Sequence, residues 1–288
     1  MNACFKTIII AVDFSVHTDA AIQKALEFSS SGSVLHLVYV QNQLAVLPVF
    51  PATLLLPAMG FFKKQAHAGR TKLRNLRRQI LQERPDARVR MTVVRAGLVK
   101  KVILNKARNE KADLIIIGKS HRTGWLAFLD PPLSAQLVKE APCAVLTVTA
   151  RASEHAIETV VMPVIEKVTY NTIGVVAALS KKHPLRIHLV SFTEERQTTE
   201  GAPSALLRVY QWLKTSLQCQ VQWKVLPATK KTDTMLEYAE AVHADMILLD
   251  PELQVKNRWW RKNFRALLQL ESNISLLALR PAGNFAIE

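Results

Sequence analysis

Residues 118 to 124 read Gly-Lys-Ser-His-Arg-Thr-Gly, a polar loop opened and closed by glycine. Such a loop can turn successive backbone N–H groups toward one point, which suits the holding of an anion such as a phosphate. It follows the unbroken apolar run Leu114 to Ile117, as expected of a parallel strand buried on both faces. Ser134 is placed to cap a short helix, Ala135 to Glu140, whose positive end faces the same loop. Pro142 stops that helix, and Ala144 to Val148 supplies a further buried strand. In an open α/β sheet, ligands sit beyond the carboxyl ends of the strands, where this loop lies. A second chemistry competes for the same residues. Gly118-Lys119-Ser120-His121-Arg122 approaches the Gly-x-Ser-x-Gly turn of a serine hydrolase, which makes Ser120 a minor candidate nucleophile. Arg122 stands where the last glycine belongs, adjacent Ser and His side chains rarely face each other, and no acid–histidine pairing can be inferred. Asp13 is the third candidate. At the end of a strand it suits hydrogen bonding to a sugar or base, and equally suits capping the next helix.

These residues need strands and helices to bring them together, and the hydrophobic pattern supplies both. Lys6 to Val12 reads as a strand, Thr18 to Ser29 as a helix burying Ala21, Ile22, Ala25 and Phe28, and Val34 to Val40 as the second strand. Gln41 to Phe62 carries no charge, but Pro48, Pro51 and Pro57 would interrupt a helix, so an irregular apolar lid is expected and no integral membrane segment. Covering the cleft, packing on the other half and touching a greasy ligand or membrane are its alternative uses. Lys63 to Arg84 then forms a helix on the stripe Leu73, Leu76 and Ile80, followed by a strand over Arg88 to Val94 and a helix over Val99 to Arg108.

The pattern then repeats. Ala112-Asp-Leu-Ile-Ile-Ile recurs as Ala244-Asp-Met-Ile-Leu-Leu, 132 positions later, and Ala144 to Val148 recurs as Ser275 to Leu279, offset by 131. A repeat of this length implies duplication of a domain, with boundaries at 1–150 and 151–288 and a polar linker near Thr149 to Ala156. In the second copy Val164 replaces the acid after the first strand, and Asp250 stands at the position of Gly118. A carboxylate there opposes a phosphate.

The strand, the Gly118 loop and the run Ala141-Pro-Cys-Ala-Val145, together with the opening IIIAVDFS, resemble the universal stress protein family. That resemblance implies two tandem open parallel five-stranded sheets flanked by helices, Rossmann-like and of the adenine nucleotide alpha hydrolase-like type. It also implies a non-catalytic stress-response or regulatory module, in which some members bind an adenine nucleotide. Carried over by position, the nucleotide-lining residues are Asp13, Val40, Gly118, Lys119, Ser120, His121 and Ser134, with ATP or AMP as the ligand of the first half. The sequence departs from the family's second glycine at His121 and from its Gly-Ser pair at Pro131-Pro132, and proline has no N–H to donate. The family's pairing through final strands implies that Ala144 to Val148 and Ser275 to Leu279 pair antiparallel within the chain, holding the halves as a pseudo-dimer. A homo-oligomer is the alternative.

Composition adds a partner class. The chain has 288 residues and a net charge of +15, of which residues 1–150 carry 21 Lys/Arg against 9 Asp/Glu. Residues 61–90 alone hold ten basic side chains and two acids. A solvated helix face is one reading, and an acidic partner, nucleic acid or anionic lipid, is the other. Trp259 and Trp260, set among Lys256, Arg258, Arg261, Lys262 and Arg265, stack bases, sit at a membrane interface or pack inside the domain interface. The scattered Cys4, Cys143 and Cys219 form neither a metal-ligand pair nor a disulfide framework, so no metal and a reducing cytoplasm are expected.

Overall fold

Ile8, Ile9 and Ile10 are wholly buried, as are Leu114, Ile115 and Ile116 beside them. Consecutive side chains on a strand point to opposite faces, so this burial requires helices both above and below the sheet. A computed structural model of the chain describes residues 5–41, 55–94, 97–119, 133–165, 168–193, 203–228, 231–250 and 272–280. The first set of elements is β1 (Phe5–Val12), α1 (Val16–Phe28), β2 (Ser29–Val40), α2 (Leu55–Glu83), β3 (Arg88–Val94), α3 (Val99–Asn109), β4 (Leu114–Gly118), α4 (Leu133–Glu140) and β5 (Ala144–Val148). A 3₁₀ turn at Ala150–Ser153 leads into the second set. That set comprises β6 (Thr159–Pro163), α5 (Tyr170–Ser180), β7 (Arg186–Thr193), α6 (Ser204–Ser216), β8 (Gln220–Pro227), α7 (Lys231–Ala241), β9 (Met246–Leu249) and β10 (Ser275–Ala278).

The ten strands form one sheet in the order β3-β2-β1-β4-β5-β10-β9-β6-β7-β8. Each set of five is parallel, and the two meet where β5 and β10 pair antiparallel, with Leu277 opposite Leu146 and Ala278 opposite Val145. Alternate side chains fill two cores, one on each face. The fold class is therefore α/β with a mostly parallel sheet flanked by helices.

Both sets use the same clasp. Asp113, ahead of β4, accepts the backbone N–H groups of Lys6 and Thr7 through Oδ2, each at 2.9 Å. Asp245, ahead of β9, does the same for Glu158 at 2.9 Å and Thr159 at 2.8 Å. The residue two before each acid, Lys111 or His243, makes the turn at positive φ. This register aligns Asp13 with Ile165, one residue beyond the Val164 that sequence matching selects.

Three expected boundaries move. α2 begins at Leu55, so residues 55–62 are helical and not part of an irregular lid. Pro57 is tolerated because the first four N–H groups of a helix have no intrahelical acceptor. β2 begins at Ser29, because Ser33 bonds Ser30 N and Phe5 O while Gly32 bulges at φ +83°. α4 begins at Leu133, which puts Ser134 inside the helix and not at its cap. No helix among the described residues is long and apolar enough to cross a membrane.

Side chains also bridge the two sets. Lys24 of α1 is 2% exposed and donates to Glu27 Oε2 and to the carbonyl of His155, each at 2.6 Å. Glu27 Oε1 accepts from Ile157 N at 2.8 Å, and Lys182 donates to the carbonyls of Glu27 and Ser29. On the other face Arg280 donates to the last carbonyls of α4, Val138 and Lys139, at the negative end of that helix. Truncating one member of a buried ion pair strands the other in low dielectric. Lys24→Ala is therefore expected to cost about 3–5 kcal/mol in equilibrium denaturation. A cost under about 1 kcal/mol would show the pair to be solvated.

Two buried histidines stand at matching places, His36 on β2 and His188 on β7. Burial, with Lys106 and Arg90 nearby and Glu110 opposing them, pushes His36 down to about 4, and burial lowers His188 too. The unfolded chain takes up protons near 6.5 while folded His36 resists until about 4, so stability is expected to fall as pH drops through that window. Denaturation midpoints at several pH values test this, and His36→Gln should flatten the slope.

Candidate functional site

β2, β1 and β4 are neighbours and parallel, so their carboxyl ends lie together at one edge of the sheet. That places Val40, Asp13 and Gly118 side by side, although they are far apart in sequence. Phe14, at φ 61°, turns the chain out of β1, and Ser15 caps α1 by accepting from His17 N at 3.3 Å. Asp13 braces this turn. Its Oδ1 accepts from Ser15 N at 3.0 Å, Ser15 Oγ at 2.6 Å and Thr18 Oγ1 at 3.0 Å. Burial opposes ionisation, but the bonds from Ser15 and Thr18 outweigh it and hold the carboxyl below its ordinary value. Asp13 therefore braces the Ser15 cap, while its side chain stays exposed and Oδ2 has no partner among the described residues.

Gly118 is constrained by His17, because a Cβ at 118 would overlap the Cβ of His17. The glycine lets α1 pack down onto β4, a role its sequence context does not announce. His17 Nδ1 is buried there without a hydrogen-bond partner among the described residues. Val40 is half-buried at the end of β2, where the next residue, Gln41, donates to Val94 O at 2.8 Å. Beside it, the Tyr39 ring packs on Phe14 at 4.7 Å, and Gly69 of α2 leaves it room, since a Cβ there would lie 2.6 Å from the ring. Lys72 sits over Phe14 at 5.2 Å.

Lys119 is buried, and its ammonium bonds the carbonyl of Ser272 at 3.2 Å and its hydroxyl at 3.3 Å. It thus reaches across the β5–β10 joint to the second set. Ser134 is buried in the first turn of α4. Ser120 and His121, like Pro131-Pro132, Trp259-Trp260 and residues 42–54 of the expected lid, lie outside the described residues. Among the described residues no group of His, Cys, Asp or Glu could hold a metal ion. Cys143 is an inert thiol, pushed up to about 12 by burial and by Asp113.

In the second set the bracing carboxylate has moved. Thr169 caps α5, and the acid that holds it comes from the end of β9: Asp250 Oδ2 accepts from Thr169 N at 2.7 Å, Thr169 Oγ1 at 2.9 Å and Thr172 Oγ1 at 2.5 Å. Asp250 is wholly buried. Sequence reasoning saw its charge but missed this role, for which Thr169-x-x-Thr172 was the available signal. The two acids should therefore respond differently to removal. Asp13→Ala is expected to cost about 1 kcal/mol, as loss of an exposed cap. Asp250→Ala strands buried donors and is expected to cost about 3 kcal/mol or more. Equal losses in denaturant titrations would refute the difference.

The sequence profile described as the universal stress protein family matches residues 5–149. A universal stress protein from Archaeoglobus fulgidus DSM 4304 is similar in structure, with a TM-score of 0.67 at 12% identity, over 96% of this chain and 97% of that one. The functionally unknown protein PA1789 from Pseudomonas aeruginosa PAO1 is similar at a TM-score of 0.56 and 15% identity, over 97% and 94%. A universal stress protein solved in complex with cAMP has a TM-score of 0.35 and 15% identity, over 51% of this chain and 98% of that one. No curated protein matches the sequence. The profile covers half of the chain, and on that ground the protein belongs to the universal stress protein family.

Proposed function

We propose that the chain is a non-catalytic, cytoplasmic stress-response or regulatory module in two domains, 1–150 and 151–288. The first binds an adenine nucleotide, ATP or AMP, weakly. The second serves as its structural partner through the β5–β10 pairing. One contrast carries the reading. In the first set an exposed carboxylate, Asp13, stands beside Gly118 at adjacent strand ends, whereas in the second the matching cleft position is filled by Asp250, buried and committed to Thr169 and Thr172.

The residues fit a nucleoside better than a triphosphate. Asp13 Oδ2, on an exposed side chain, can accept a ribose hydroxyl. Lys119 is engaged with Ser272, so phosphates would rely on the start of α4. The nucleotide, when bound, supplies the signal, and the chain's part is to hold it. Calorimetric titration is expected to give dissociation constants for ATP and AMP within a few-fold of each other, and Asp13→Ala should weaken both about 10-fold. Absence of binding up to millimolar nucleotide would overturn this reading. Labelling of Ser120 by a fluorophosphonate would overturn the non-catalytic part.

An interaction with an acidic partner is the second reading. Arg74, Arg77 and Arg78 favour it, since they are exposed together on α2.

A further inference from the structure

Among the described residues the sheet ends at β3, which pairs with β2 on one side only. Val94 O faces β2, where it accepts from Gln41 N. By the alternation of a strand, Val89, Met91 and Val93 then present their backbone N–H and C=O groups outward. Beside this free edge runs α2, and between the two lies an open groove of about 430 Å³ lined by Arg74, Arg77, Arg78, Leu81, Gln82 and Met91. Met91 is half-buried at the strand side, while the three arginines are exposed on the helix side. No carboxylate among the described residues pairs with them. Arg78 bonds Asn75 at 3.4 Å, and the nearby Glu83 accepts from Gln23.

We propose that this groove docks an extended acidic segment of another protein, which adds to β3 as a further strand and turns its carboxylates toward Arg74, Arg77 and Arg78. It rests on the acidic-partner reading and not on nucleotide binding. Three observations select this occupant. An unpaired edge offers a ladder of backbone hydrogen bonds, which an extended peptide satisfies and a nucleic acid or lipid does not. Guanidinium groups form paired hydrogen bonds with carboxylates, at a spacing along one helix face that repeats every turn. No aromatic side chain lines the groove, so bases have nothing to stack on. A second copy is disfavoured by charge, since a two-fold pairing of β3 edges would set the same arginines against each other.

The test uses the full chain and a fluorescent peptide of about eight residues alternating Glu and Thr, the length of an ordinary strand. Anisotropy is expected to report saturable binding that weakens with salt. A copy of the peptide N-methylated at alternate residues, on the edge that faces β3, should bind at least about 10-fold more weakly, because it cannot donate to the strand. Arg74→Ser combined with Arg77→Ser should weaken binding by a similar factor while circular dichroism stays unchanged, both side chains being exposed. Equal binding of the methylated copy would overturn the proposal, as would indifference to the arginine substitutions or no peptide binding. Tighter binding of an oligouridylate or of phosphatidylserine vesicles at the same salt would also overturn it, while leaving the broader acidic-partner reading standing. A loss of peptide binding in the arginine variant with nucleotide affinity unchanged would support it.

Discussion

The pairing of β5 with β10 is the constraint on which the rest of the molecule depends. Every residue of Ala144–Val148 is buried, as is every residue of Ser275–Ala278. A strand this apolar cannot stand at the edge of a sheet facing water, and each of the two covers the other. The antiparallel direction follows from the way the two sets meet, and it puts Thr147 Oγ1 on Leu276 O and Thr149 Oγ1 on Asn273 O. The same joint decides where Lys119 goes. A lysine directly after Gly118 would ordinarily be read as a phosphate ligand, yet across this joint it finds Ser272 first.

The second consequence concerns the helix that follows the first strand of each set. Its Ser or Thr cap is braced in both sets by a carboxylate that accepts from the cap residue's hydroxyl and backbone N–H. In the first set that acid comes from the end of β1 and stays in contact with water. In the second it comes from the end of β9 and is wholly buried. The same local requirement is met twice, once by an exposed acid and once by a wholly buried one. This accounts for the asymmetry between two otherwise similar sets of strands without any appeal to a lost activity.

With β5 and β10 joined, the remaining edges of the sheet among the described residues are β3 and β8. Their surroundings differ. β3 adjoins the arginine-lined groove, whereas β8 exposes Trp223. Three of the first half's basic side chains, Arg74, Arg77 and Arg78, thus line one sheet edge. Solved structures with nearly the same length and only 12–15% identity share the architecture. An architecture held over such divergence reports on packing, and function has to be read from side chains at particular places.

Sequence alone determined the alternation of strands and helices, the family, and the candidates Asp13 and Gly118, because short apolar runs and glycine-bounded turns are local signals. It also showed the recurrence of Ala112-Asp113 as Ala244-Asp245, whose shared clasp explains why that dipeptide recurs. Helix and strand starts were less legible. The first turn of a helix tolerates Pro57, and the bulge at Gly32 depends on a hydroxyl reaching another strand. Only the tertiary structure decided what the site residues touch. That Gly118 makes room for His17, that Lys119 turns to Ser272 and that Asp250 holds a helix cap some 80 positions away are contacts between distant segments. No local pattern encodes them, because each depends on which strands lie side by side and on how closely the helices pack against them.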